Sequence, residues 1–88
     1  MKFRITLSET AVRQLRKLEK GDRDRIARAL RALEDEPFRA RSKADIRILE
    51  GTQPRKYRIR IGEYRAVYAV AGSEVKVAEI FTRGREYR

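Results

Sequence analysis

Cysteine, histidine and tryptophan are all absent from this 88-residue chain. Without cysteine there is neither a disulfide framework nor a thiolate metal site, and without histidine the usual general base and the commonest metal ligand are missing. Any catalysis therefore falls to Arg, Lys, Tyr, Asp or Glu. Long apolar runs are missing too: the opening MKFRITLS has no signal-peptide core, and nothing approaches the ~20 apolar residues that cross a membrane. The expectation is a cytoplasmic protein with no metal, no cofactor and no membrane contact, folded as one domain over residues 1–88.

What the chain has in excess is positive charge. Lys and Arg number 23 against 13 Asp and Glu, a formal net charge of +10. Such a chain repels itself unless a polyanion or an acidic protein lies against it, which makes nucleic acid the leading partner.

Hydropathy alternates from Lys2 to Leu7, with Phe3, Ile5 and Leu7 on one side, and so predicts a half-buried strand. Ser8 is a good N-cap and Glu9 suits a first helical turn. Ala11, Val12, Leu15 and Leu18 form one stripe of a short helix, which Gly21 is placed to end in the left-handed conformation, with Asp22 capping the next. That second helix is expected from Arg23 to about Asp35, burying Ile26, Ala29, Leu30 and Leu33, with Pro37 closing it. Its acidic end, Glu34 to Glu36, has the wrong sign for a helix C-terminus and is assigned to nearby arginines. A polar loop anchored by Phe38 leads to a short strand at Ile46 to Leu49.

The stretch YRIRIGEYRAVY, Tyr57 to Tyr68, is a hairpin signature around Gly62-Glu63. A two-residue Gly-X loop favours a type II′ turn. It pairs Ile61 with Tyr64, Arg60 with Arg65, Ile59 with Ala66, Arg58 with Val67 and Tyr57 with Tyr68. Arg60 and Arg65 then stand directly opposite each other, a like-charge pair that destabilises a sheet by up to ~1 kcal/mol. Something anionic belongs there. A second turn, Gly72-Ser73, sends Val75 to Thr82 back along the previous strand. Without interruption, that register sets Arg65 beside Ile80, Tyr64 beside Phe81 and Glu79 on the apolar face beside Ala66; a bulge near Ala78 would turn Glu79 outward. The fold class that follows is α+β: an N-terminal strand, then an antiparallel helical hairpin packed on a mainly antiparallel sheet with a C-terminal meander. The helices cover Tyr57, Ile59, Ile61, Tyr68, Val70, Val75 and Val77, and the other face carries Lys56, Arg58, Arg60 and Arg65.

The order β-α-α-β-β-β-β, the hairpin, Gly51 and the terminal RGREYR resemble the RelE family of toxins within the RelE/ParE superfamily. The resemblance covers nearly the whole chain. It implies an mRNA interferase that enters the ribosomal A site and cuts the codon there without a metal, held inactive by an acidic RelB-like antitoxin. By position it also implies that Arg65 clamps the scissile phosphate and that Arg85 supports the transition state or the leaving group. Arg58 and Arg60 match strand positions that are lysines in some members, and an arginine, protonated to above about pH 12, cannot serve as a base. Lys56 and Tyr87 are the remaining candidates for that role, and Tyr87 is equally suited to stacking on a nucleotide. Lys56, Arg83 and Arg88 are assigned to RNA binding. Two other readings share the fold: a ParE-type gyrase inhibitor, and a non-catalytic ribosome- or RNA-binding relative.

Overall fold

Ser8 is where strand gives way to helix, and its side chain does two jobs there. Its Oγ accepts the Ala11 N–H at 3.0 Å, which caps the helix, and donates to the Ala78 carbonyl at 2.6 Å, which fastens the helix start to the last strand. The computed structural model describes residues 2–39, 45–49, 51 and 55–82. Within them lie β1 (Arg4–Leu7), α1 (Glu9–Arg16), α2 (Lys20–Ala32), β2 (Asp45–Leu49), β3 (Lys56–Ile61), β4 (Tyr64–Ala71) and β5 (Glu74–Thr82). The sheet order is β1-β5-β4-β3-β2; β1 runs parallel to β5 and every other pairing is antiparallel.

Both turns of the meander have the geometry the sequence predicts. Gly62 and Gly72 take φ of +60° and +61°, while no described residue other than glycine has positive φ, the combination that a type II′ turn requires. The β3–β4 register is the expected one at every pair, Arg60 opposite Arg65 included. α1 packs on β5 and β1, and α2 on β3. Ala11, Ile26, Leu30 and Leu33 thereby meet Tyr57, Ile59, Ile61, Ala66, Tyr68, Val75, Val77 and Ile80 in one buried cluster. Because β1 pairs with β5 only as far as Val77, the outer edge of β5 continues without a strand beside it. α1 substitutes, its Gln14 Oε1 accepting the Ile80 N–H at 2.5 Å.

The helix boundaries differ from expectation. α1 ends at Arg16, with a last tight bond from Leu18 N–H to the Leu15 carbonyl, and α2 begins at Lys20 after an extended Glu19. Gly21 is therefore inside the first turn of α2 rather than a left-handed terminator, and Asp22 is freed from capping to bond elsewhere. α2 stops at Ala32 because residues 33–35 tighten into i→i−3 bonds, Leu33 to Leu30, Glu34 to Arg31 and Asp35 to Ala32. In the acidic segment after it, the Glu36 carboxylate accepts the Phe38 N–H, so at least this group serves the local turn. A Cβ added at Gly21 would meet nothing within 4 Å. Gly21→Ala is accordingly expected to raise stability by about 0.5–1 kcal/mol, read as a higher urea midpoint with an unchanged slope; a loss would restore the left-handed assignment.

The β4–β5 register carries the bulge expected near Ala78 in place of the uninterrupted pairing. It shifts between Val67 and Tyr68, where Ala78 is the extra residue, so that Val67 faces Glu79, Ala66 faces Ile80, Arg65 faces Phe81 and Tyr64 faces Thr82. The physical reason is Glu79. Kept in phase, its carboxylate would enter the apolar cluster beside Ala66 at a desolvation penalty of several kcal/mol. One bulged residue exchanges it for Ile80, which is 3% exposed.

Candidate nucleic-acid interface

Strand register, read across the sheet, fixes which side chains share the face that the helices leave open. Nearest the β3–β4 turn, Asp45, Arg60, Arg65 and Phe81 form one row. The next contains Arg47, Arg58, Val67 and Glu79, and the one after that Leu49, Lys56, Ala69, Lys76 and Thr6. At the far corner Ala71, Glu74 and Arg4 stand together. Neighbours within a row are about 4.8 Å apart, and successive rows about 6.6 Å apart. Among the described residues this face gathers seven cationic side chains against three anionic ones.

Two of the acidic groups make only loose pairs. Asp45 Oδ1 lies 3.8 Å from Arg47 Nε, and Glu74 Oε1 lies 3.9 Å from Lys76 Nζ, both long and exposed. Pairs of that kind contribute at most about 1 kcal/mol and weaken with salt. An anion laid over the face would displace them readily.

Arg65 is held more firmly than its neighbours. It is half-buried, Arg60 opposite it is exposed, and β4 begins with Tyr64 immediately before it. The Tyr64 hydroxyl donates to Asp22 Oδ2 at 3.0 Å, and Asp22 Oδ1 accepts from Arg25 Nη2 at 2.9 Å. These bonds tie the start of α2 to the turn from which Arg65 projects. The bond to Asp22 stabilises the neutral phenol and raises the Tyr64 pKa above its ordinary value, reinforced by desolvation and the Asp22 charge. The freed Asp22 thus positions the hairpin instead of capping a helix.

Arg58, Arg60, Arg65 and Lys56 therefore share one face as expected, though not one point. Lys56 is four residues along the strands from the level of Arg65, a distance of about 13 Å. Arg83, Arg85, Tyr87 and Arg88 lie outside the described residues, while β5 ends at Thr82 opposite Tyr64, at the same end of the sheet as Arg65. Three residues on the face escaped the sequence reading. Phe81 reaches it only through the bulge expected near Ala78, which brings Phe81 as well as Glu79 to this face. Arg47 needed the β2 register, which the turn material from Glu50 to Pro54, longer than a two-residue loop, does not set. Lys76 was legible: counting back from Gly72-Ser73 places it opposite Ala69, and hence in line with Lys56. An aromatic ring beside an arginine on an open basic sheet is a combination that binders of single-stranded nucleic acid use, stacking bases while cations hold the backbone.

The comparisons with known proteins agree with this architecture. Residues 5–87 match the family described as the ParE toxin of type II toxin-antitoxin system, parDE. The archaeal RelE–RelB complex from Pyrococcus horikoshii OT3 contains a chain that is 34% identical and superposes with a TM-score of 0.82, covering 98% of this chain and 100% of that one. The RelB–RelE antitoxin–toxin complex of Methanococcus jannaschii gives 24% identity and a TM-score of 0.71, with 89% of each chain covered. For the toxin–antitoxin complex RelBE2 of Mycobacterium tuberculosis the values are 22% and 0.75, over 94% of this chain and 100% of that one. No curated protein matches by sequence. The chain therefore belongs to the RelE/ParE toxins of type II toxin–antitoxin systems. Its 34% identity with an archaeal RelE over nearly the full length makes it a RelE-family toxin.

Proposed function

We propose that this toxin is a ribosome-dependent endoribonuclease that cuts mRNA in the A site and so stops translation. The observation that carries the reading is the Arg60–Arg65 pair: two directly opposed arginines on an open sheet face, one of them half-buried, concentrate positive charge at one place, which suits a phosphate. In the reaction the ribose 2′-oxygen forms a bond to the adjacent phosphorus as its proton passes to a base. The bond to the 5′-oxygen breaks, leaving a 2′,3′-cyclic phosphate and, after protonation, a free 5′-hydroxyl. Charge on the phosphoryl oxygens rises in the transition state, and preorganised cations at that point lower the barrier. Arg65 takes this position, with Arg58 and Arg60 beside it and Arg85 assigned to the leaving oxygen. No metal is required in this scheme. The separation of Lys56 from Arg65 counts against Lys56 as the base and leaves Tyr87 as this chain's candidate. Arg83 and Arg88 are assigned to RNA backbone contacts.

The natural restraint on such an activity is an acidic RelB-like antitoxin, as in the RelE–RelB complexes that share this fold. The net charge of +10 supplies its attraction. Activity on ribosomes places the protein in the cytoplasm. The ParE family description favours a second reading, inhibition of DNA gyrase.

The two separate in one pair of assays. Purified ribosomes carrying a defined mRNA should show A-site cuts with the toxin, none without ribosomes, and none with Arg85→Ala. Intact mRNA accompanied by blocked gyrase supercoiling would replace the first reading with the second.

A further inference from the structure

One concavity on the basic face lies away from the Arg60–Arg65 corner. A hollow of about 290 Å3 opens over the row that contains Lys56, Ala69, Lys76 and Thr6, and extends to Ser8 and the bulged Ala78. Its construction follows from the register. Ala69 lies between Lys56 on one neighbouring strand and Lys76 on the other, so a small side chain forms the floor and a lysine flanks it on each side. Two strand spacings, about 9.6 Å, separate the lysine backbones. The adjoining row is closed, because Val67 between Arg58 and Glu79 is 0% exposed. The hollow is thus a separate recess about 13 Å along β4 from Arg65.

We infer that this recess is a second phosphate subsite, in which Lys56 and Lys76 clamp the RNA backbone a few nucleotides from the phosphate held at Arg65. The inference rests on the nuclease reading above and deepens it, since it sets the path of the substrate along β4. Two observations point to an anion. Lysines flank the apolar floor on both sides, and the only anion paired with Lys76 among the described residues is Glu74, at 3.9 Å. A phosphate can displace that weak pair at little loss. The recess lies on the same sheet face as Arg58, Arg60 and Arg65, which suits a polyanion lying along the strands better than a lone ion. Lys76 is here a positioning residue, remote from the reacting atoms.

The test is a salt titration of binding to a 2′-O-methylated, hence uncleavable, single-stranded RNA of about ten nucleotides, within the span that single-strand binders cover. Each phosphate contact on a single strand contributes about 0.7 to the slope of log K against log salt. Lys76→Ala is expected to lower the slope by about 0.7, which over the decade from 1 M to 0.1 M salt is about a fivefold loss of affinity. Lys76→Arg should restore it, and Ala69→Leu, which fills the floor, should reproduce the loss with both lysines present. Lys20→Ala serves as the control, because that lysine pairs with Asp24 on α2 and is not on the face. An equal effect of Lys20→Ala, or an unchanged slope with Lys76→Ala while Arg65→Ala lowers it, overturns the subsite and leaves the nuclease reading standing. No binding of RNA or of programmed ribosomes by the unaltered toxin overturns both.

Discussion

Arg65→Ala is expected to lower the rate of ribosome-dependent mRNA cleavage about 100- to 1,000-fold, the range seen when one preorganised donor to a developing oxyanion is removed. The same substitution should leave the protein folded, because Arg65 lies outside the buried cluster. Relief of the like-charge opposition to Arg60 across β3 and β4, a few tenths to ~1 kcal/mol, offsets the loss of the contacts that Arg65 makes. Loss of rate in a variant that stays folded is the signature of a residue retained for the anion it meets. Arg65→Lys should recover only part of the rate, since a lysine supplies the charge but not the two-pronged guanidinium geometry that matches a phosphate. Cleavage measured on programmed ribosomes and urea denaturation of the same preparations decide the matter. A variant that cuts normally would remove Arg65 from the reacting phosphate. One that cuts slowly because it is unfolded would show it in the urea midpoint.

The hairpin that presents Arg65 was legible in the sequence because every determinant of it is local. Gly62 sets the turn, the turn sets the register, and alternation then assigns each side chain to a face. Ser8 was legible as a cap for the same reason. The misread elements depend on partners distant in sequence. Gly21 reads as a helix terminator until one knows that Glu19 already broke the chain direction and that Asp22 is needed 42 residues away by Tyr64. The bulge at Ala78 was legible from Glu79 on an apolar face, but not its effect further along the strand, where it decides that Phe81 rather than Ile80 accompanies Arg65. Propensity and pattern describe segments. A bulge or a helix boundary in this fold is chosen by what the assembled sheet will tolerate, which is also why the sharpest departures from pattern border the basic face.

The stability of the helix-covered side depends on one aromatic more than on any other. Tyr68 is 0% exposed, stacks on Tyr57 with ring centroids 5.5 Å apart, and donates its hydroxyl proton to the Pro37 carbonyl at 2.7 Å, so it pins the segment after α2 onto β4. Tyr68→Ala is expected to destabilise by about 3–5 kcal/mol. That is a large part of the 5–15 kcal/mol available to a small domain. Tyr68→Phe keeps the ring and isolates the effect of the hydroxyl, at about 1–3 kcal/mol for a buried carbonyl left unpaired. Burial, and after it the charges of Tyr57 and Glu36, raise the Tyr68 pKa well above its ordinary 10.0. The folded chain then holds its proton where the unfolded chain has released it. The contribution is complete below pH 10 and is lost as pH rises from the unfolded value through the folded one, at a rate approaching 1.4 kcal/mol per pH unit for one proton. Urea midpoints of the two proteins measured between neutral pH and pH 11 should therefore converge as pH rises, the unaltered chain losing its advantage over Tyr68→Phe. Parallel curves would mean that Tyr68 ionises equally easily in both states, and that the hydroxyl seen at Pro37 is in contact with water.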